Sequence, residues 1–221
     1  MRAALPEGAP RGGVLLRPGG AHALLVLAHG AGAGMRHPFM EGVAQALHGE
    51  GIATWRYDFA YMAAGRKLPP RGEALVPEVV RSVTAARAAV PDLPLFAGGK
   101  SLGGRMTSTA AARGELPSAV RGLVLFGFPL HPAGRPATER ARHLQDVSLP
   151  VFILQGERDP MGEPGLLRRA MRGRAPAVQV HAVAGADHGF EVLRRSRRTG
   201  DEVLRELART AACWMADQTR R

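Results

Sequence analysis

Cysteine occurs once in this chain of 221 residues, at Cys213, so no disulfide can close within it. That excludes the disulfide-framed secreted domains and makes a cytoplasmic location the expectation. No run of roughly 18 apolar residues exists, so no membrane-spanning helix is predicted. The first residues carry Arg2, Glu7, Arg11 and Arg17 and lack the apolar stretch of a signal peptide, so none is expected. Lysine appears only at Lys67 and Lys100, which leaves 28 of the 30 basic residues as arginine. The net charge of +11 raises the question of a nucleic-acid partner. Aromatics are only 5% of the chain, and the arginines scatter over the predicted helices instead of interleaving with rings on one stripe. The charge therefore predicts a solvated basic surface, with no nucleic acid and no membrane as partner. The histidines at 22, 37, 48, 131, 143 and 181 show no metal-ligand spacing, and no metal or cofactor is implied.

What the chain has is a regular alternation of short apolar runs and helical patterns. Residues 1–12 are rich in proline and glycine and are expected to form a loose arm; one domain is expected over 13–217. Gly13 to Arg17 reads as an edge strand. Ala23 to Ala28, Ile52 to Asp58, Leu95 onward, Leu123 to Phe126, Val151 to Leu154 and Ala177 to Val183 read as further strands. Helices are predicted from Pro38 to the glycines at 49 and 51, from Val76 to Val90, from Leu102 to Arg113, from Pro164 to Met171 and over about 201–216. Residues 59–73 read as a loop, and 127–149 as a loop with a short helix near 138–145. Strands alternating with helices predict an α/β fold: a mostly parallel sheet of about seven strands with helices on both faces. Ligands of such sheets bind beyond the carboxyl ends of the strands.

Serine is scarce, with six in the chain, and one of them stands in Gly99-Lys100-Ser101-Leu102-Gly103. A G-x-S-x-G match is expected by chance roughly 0.1 times in such a composition, so the pentapeptide alone is weak. Its setting strengthens it. A strand precedes it, a helical pattern follows, and Gly114 suits the helix end. Strand, tight turn, serine and helix make a nucleophile elbow, which lifts the hydroxyl clear of the sheet. The N–H of Leu102 opens the helix and points at negative charge forming above the serine.

Three further features fall just after strands, so all four share one rim. They are His29-Gly30-Ala31, Asp159 and His188. Serine, then aspartate, then histidine is the chain order of this kind of hydrolytic site. A hydroxyl is a poor nucleophile until a base takes its proton, and histidine titrates near neutrality. His188 is the expected base, and Asp159 the residue that holds its tautomer. The N–H groups of Ala31 and Leu102 are the expected oxyanion hole, with Gly30 and Gly32 letting that loop approach.

Simpler roles exist for each. Ser101 could merely cap its helix, Asp159 could cap the helix near Pro164, and His188 could be a hydrogen-bonded loop histidine. Asp58 and Asp187 compete for the acid, although a sequence neighbour such as Asp187 seldom points the right way. His29 reads as a brace for the oxyanion loop more than as a base. Phe59, Tyr61, Phe128 and Leu130 are candidates for a pocket wall or for ordinary core, and His131 follows a strand and could join them. Lys100, beside the nucleophile, is expected to pair with Asp58 or Glu157, or to pack its stem and extend its head to solvent. The run Arg194-Arg195-Ser196-Arg197-Arg198 could draw in an anionic substrate, though a solvated run is the simpler reading.

The elbow Gly99-Lys100-Ser101-Leu102-Gly103-Gly104-Arg105-Met106 resembles the G-K-S-M-G-G-R-M of a small lidless bacterial α/β-hydrolase family. That family is similar in size to dienelactone hydrolases, whose nucleophile is a cysteine. Further stretches share the likeness: His29 to Gly32, Asp58 to Met62, Gly127 to Pro132, Gly156 to Asp159, and Asp187-His188. It covers about residues 14–215 and departs at Leu102, where methionine is usual. The resemblance implies an α/β-hydrolase fold without a large lid and a triad of Ser101, Asp159 and His188; His29 and Lys100 are further candidates for the substrate pocket. The resulting expectation is a serine carboxylesterase that cleaves small-acyl esters as a monomer or homodimer. Two alternatives stay open: a non-catalytic binding scaffold, and a thioesterase or peptidase using the same triad. A complete set of serine, aspartate, histidine and oxyanion glycines argues against the scaffold.

Overall fold

The structure, a computed structural model, describes residues 13–174 and 177–220. The expected arm at 1–12 lies outside the described residues. Seven strands form one sheet: β1 (Gly13–Leu16), β2 (Ala23–Ala28), β3 (Ile52–Tyr57), β4 (Leu95–Lys100), β5 (Val120–Phe126), β6 (Val151–Gly156) and β7 (Val178–Val183). Their spatial order is β1-β3-β2-β4-β5-β6-β7. Only β1 runs antiparallel, against β3. β2, β3, β4 and β6 are buried along their whole length, as expected where helices cover both faces of a parallel sheet.

The helices are α1 (Pro38–Gly49), α2 (Ala60–Ala63), α3 (Val76–Ala89), α4 (Leu102–Ala112), α5 (Pro164–Ala170) and α6 (Gly200–Arg220), with 3-10 helices at Glu139–Gln145 and Arg194–Ser196. Two apolar cores result. On one face Phe39, Val43 and Leu47 of α1 meet Val203, Leu207, Ala211 and Trp214 of α6 over Leu25, Phe96 and Phe126. On the other, Val79 and Val83 of α3 and Met106 and Ala110 of α4 pack over Val26, Ala97 and Leu125.

Local chemistry fixes the helix ends. His37 Nδ1 accepts the Phe39 N–H ahead of α1, where Pro38 needs no partner. Thr199 and Glu202 cap α6 reciprocally: Glu202 N donates to Thr199 Oγ1, and Thr199 N donates to Glu202 Oε2 at 2.7 Å. The N–H of Gly114 reaches Ala111 O and that of Glu115 reaches Ala110 O, a Schellman ending for α4 with Arg113 as its C-cap.

Three expectations change. β5 begins at Val120, three residues before the predicted Leu123. The stretch 59–73 is not all loop: α2 makes one turn there, pinned by the buried ring of Tyr61. α6 also runs to Arg220 instead of 216, because Gln218 on its polar tail is still buried. The connection from β5 to β6 holds only the 3-10 helix at Glu139–Gln145, so among the described residues no lid covers the sheet. Among the described residues no helix is long and apolar enough to cross a membrane.

Candidate active site

The site grows from the C-terminal end of β4. Ser101 follows the strand directly and precedes α4 with φ +50° and ψ −113°, a conformation non-glycine residues seldom adopt. Its hydroxyl makes no capping bond, so the helix-cap alternative falls. The turn is tight because Gly99 and Gly103 both press on β2. A Cβ at either would lie 2.4 Å from Ala28 O. That contact explains the glycine spacing better than conformational freedom does.

The sheet brings Ser101, His188 and Asp159 together. His188 Nε2 stands 2.9 Å from Ser101 Oγ, and its Nδ1 stands 2.7 Å from Asp159 Oδ2. Asp159 is almost wholly buried. It caps no helix: Oδ1 accepts the Met161 N–H at 2.8 Å and Oδ2 accepts Gln155 Nε2 at 2.7 Å. Gln155 in turn holds the β5 loop by accepting the Phe128 N–H at 2.8 Å. Sequence reasoning missed Gln155. Its one signal was a polar side chain in the otherwise apolar run Phe152-Ile153-Leu154-Gln155.

The competing acids are engaged elsewhere. Asp58 Oδ1 accepts the Met35 N–H at 2.7 Å. Asp187 Oδ1 accepts from Gly189 and Glu191, which closes the tight loop that presents His188.

His29 is completely buried and neutral, its pKa lowered chiefly by burial. Nδ1 donates to Gly30 O at 2.7 Å and Nε2 accepts the Phe59 N–H at 3.1 Å. Asp58 lies 3.7 Å from that same nitrogen, but a nitrogen already accepting has no proton for an ion pair. His29 thus ties the 29–34 loop to the end of β3. Tyr61 adds a second tie, its hydroxyl oxygen accepting the Gly32 N–H at 3.2 Å. Gly32 needs to be glycine, at φ +68°. Gly30 does not need it for space: a Cβ there would sit 3.7 Å from Ser101 Cβ, an ordinary contact. The N–H groups of Ala31 and Leu102 have no hydrogen-bond partner among the described residues. Phe59, Phe128 and Leu130 are buried in the core beneath this rim, and His131 is buried beside it.

Lys100 uses none of its expected partners. Asp58 accepts the Met35 N–H, Glu157 accepts the Gly185 N–H, and the lysine side chain is largely buried. Strand alternation places Lys100, with Phe96 and Gly98, on the α1/α6 face of β4. There the ammonium lies 5.7 Å from the Phe39 ring centre and 5.6 Å from that of Phe190. Burial pushes its pKa down to about 8, against the pull of Asp159 and Asp187.

A base bonded to both a hydroxyl and a buried carboxylate can deprotonate that hydroxyl as it attacks an electrophile. Solved structures share the architecture. A dienelactone hydrolase from Anabaena variabilis aligns with a TM-score of 0.70 at 23% identity, over 98% of this chain and 96% of that one. An α/β serine hydrolase without lid from Xanthomonas campestris aligns at 0.68 and 19%, over 91% and 88%. The esterase domain of a Rhodothermus marinus protein aligns at 0.66 and 15%, over 91% and 90%. The sequence itself matches the family model described as an alpha/beta hydrolase domain from residue 21 to residue 216, and the chain belongs to that family.

Proposed function

We propose that this protein is a serine hydrolase that cleaves small-acyl carboxylic esters through an acyl-enzyme on Ser101. The observation that carries the reading is the unbroken line from Asp159 through His188 to Ser101, with bonds of 2.7 and 2.9 Å. Ser101 Oγ attacks the ester carbonyl carbon while its proton passes to His188 Nε2. Asp159 accepts the Nδ1–H and stabilises the imidazolium. The carbonyl oxygen becomes an oxyanion facing the N–H groups of Leu102 and Ala31, each such donor being worth about 2.7–4 kcal/mol. The C–O bond to the alcohol then breaks, and His188 returns its proton to the leaving oxygen. Water, deprotonated by His188, attacks the acyl carbon; the bond from that carbon to Ser101 Oγ then breaks, His188 returns the proton to Oγ, and the acid leaves.

The likeness to proteins described as esterases and as a dienelactone hydrolase supports an ester over other acyl compounds. The lidless β5–β6 connection supports short acyl chains, since among the described residues no added domain stands there to hold a long one.

The test is hydrolysis of p-nitrophenyl acetate, butyrate and octanoate by the wild type and by Ser101→Ala, with fluorophosphonate labelling of both. Turnover and labelling lost together in the variant support the reading. Octanoate cleaved faster than acetate overturns the small-acyl part. A folded wild type that neither hydrolyses nor labels favours a binding scaffold.

A further inference from the structure

We propose that Lys100 is a positioning residue for His188: its ammonium, beside the stacked rings of Phe39 and Phe190 and across Gly127 from the imidazole, fixes the loop that carries the histidine. The inference rests on the reading of Ser101, His188 and Asp159 as the reacting set.

Phe190 lies two residues beyond His188 and holds φ +64°, a backbone state that needs outside support in a bulky residue. The support is visible. Its ring stacks on Phe39 with centres 5.3 Å apart and planes 15° apart, and the ammonium reaches both rings within cation–π range. The Phe190 N–H also donates to Asp187 O. The loop is therefore held on its core side by Lys100 through Phe190.

Glycine keeps the way open between the cation and the base. A Cβ on Gly127 would stand 3.0 Å from Lys100 Nζ and 3.6 Å from His188 Nδ1. Gly127 also has φ +61°, so a side chain is disfavoured there twice.

The ammonium makes no hydrogen bond and no ion pair among the described residues. A buried charge without such a partner is costly, and methionine would fill the same slot without that cost. What the charge adds is a field. The charged groups acting on it are Asp159, from the loop after β6, and Asp187, from the loop after β7, where His188 also faces it. α1 presents the Phe39 ring, and the strand neighbour on β5 is Phe126. Lys100 attracts the Asp159 and Asp187 carboxylates and both rings; it neither touches substrate nor transfers a proton. Burial brings its pKa down to about 8, so the hold is present at neutral pH and is released as pH rises through that value.

The experiment compares wild type, Lys100→Met and Lys100→Arg on p-nitrophenyl acetate between about pH 6 and pH 10, with fluorophosphonate labelling and thermal melting. In Lys100→Met, kcat falls on the order of 10- to 100-fold with KM unchanged, as for a slightly misplaced base. Labelling of Ser101 persists, the melting temperature rises, and the alkaline decline of the wild type near pH 8 is absent. Lys100→Arg, charged throughout, recovers part of kcat and also lacks that decline. A Lys100→Met protein with wild-type kcat, one that keeps the alkaline decline, or one that fails to fold overturns the positioning role. A folded wild type that neither turns over nor labels overturns the Ser101 reading, and this inference with it.

Discussion

Gln155 donates to the Asp159 carboxylate at 2.7 Å while its own carbonyl oxygen accepts the Phe128 N–H. One fully buried amide at the end of β6 thus couples the Asp159 carboxylate to the loop leaving β5. A hydrogen bond to a charged group contributes roughly 1.5–3 kcal/mol. Gln155→Leu removes it and strands the Phe128 N–H. The expected outcome is a stability loss of about that size in urea unfolding, with kcat reduced and KM little changed. Unaltered stability and kcat together would show the amide to be incidental.

Asp159→Asn keeps the shape of the acid but lets the amide donate, which favours the wrong tautomer of His188. In a triad of this kind kcat drops by about four orders of magnitude. Far-UV circular dichroism should match the wild type, and steady-state kinetics should show the drop. A loss under tenfold would mean that Asp159 is not the residue orienting His188.

Tyr61→Phe probes the 29–34 loop. It removes the oxygen that accepts the Gly32 N–H at 3.2 Å and leaves the ring in place. A neutral hydrogen bond contributes about 0.5–1.5 kcal/mol, so kcat should fall roughly two- to tenfold with KM unchanged. His29 still ties the loop to Phe59, which limits the effect. A change confined to KM would place Tyr61 against substrate instead.

Much of this was legible in the chain. β2 and α1 have the bounds read from the apolar run and from Pro38, because burial on both faces and a proline at N1 are local signals. The positions of Ser101, Asp159 and His188 followed from chain order and strand ends, and the structure brings those three side chains into line. What was not legible depends on partners far apart in sequence. The environment of Lys100 comes from Phe39 on α1 and Phe190 after β7, and no local pattern announces that pair. Asp58 was a fair rival to Asp159 until the Met35 N–H was seen to occupy it. α2 escaped notice because a single turn is too short to show a period.

Lys100 also has a consequence for stability whose sign is open to measurement. Its pKa is about 8 in the fold against 10.5 for the free side chain. Between those values the unfolded chain binds more protons, so stability rises with pH across that window, and below about pH 8 the full cost is present. At 1.36 kcal/mol per unit the cost reaches about 3 kcal/mol as an upper bound. Lys100→Met should therefore be more stable than wild type at pH 7, by on the order of 1–3 kcal/mol. At roughly 2–4 °C per kcal/mol for a chain of this size, the melting temperature should rise by several degrees. Near pH 10 the gap should have largely closed. Urea unfolding at both pH values measures it. A variant more stable and slower at once is what a charge kept for activity predicts. A variant less stable at pH 7, or a gap that does not change with pH, would mean that the ammonium is paired more favourably than its position beside the two rings indicates.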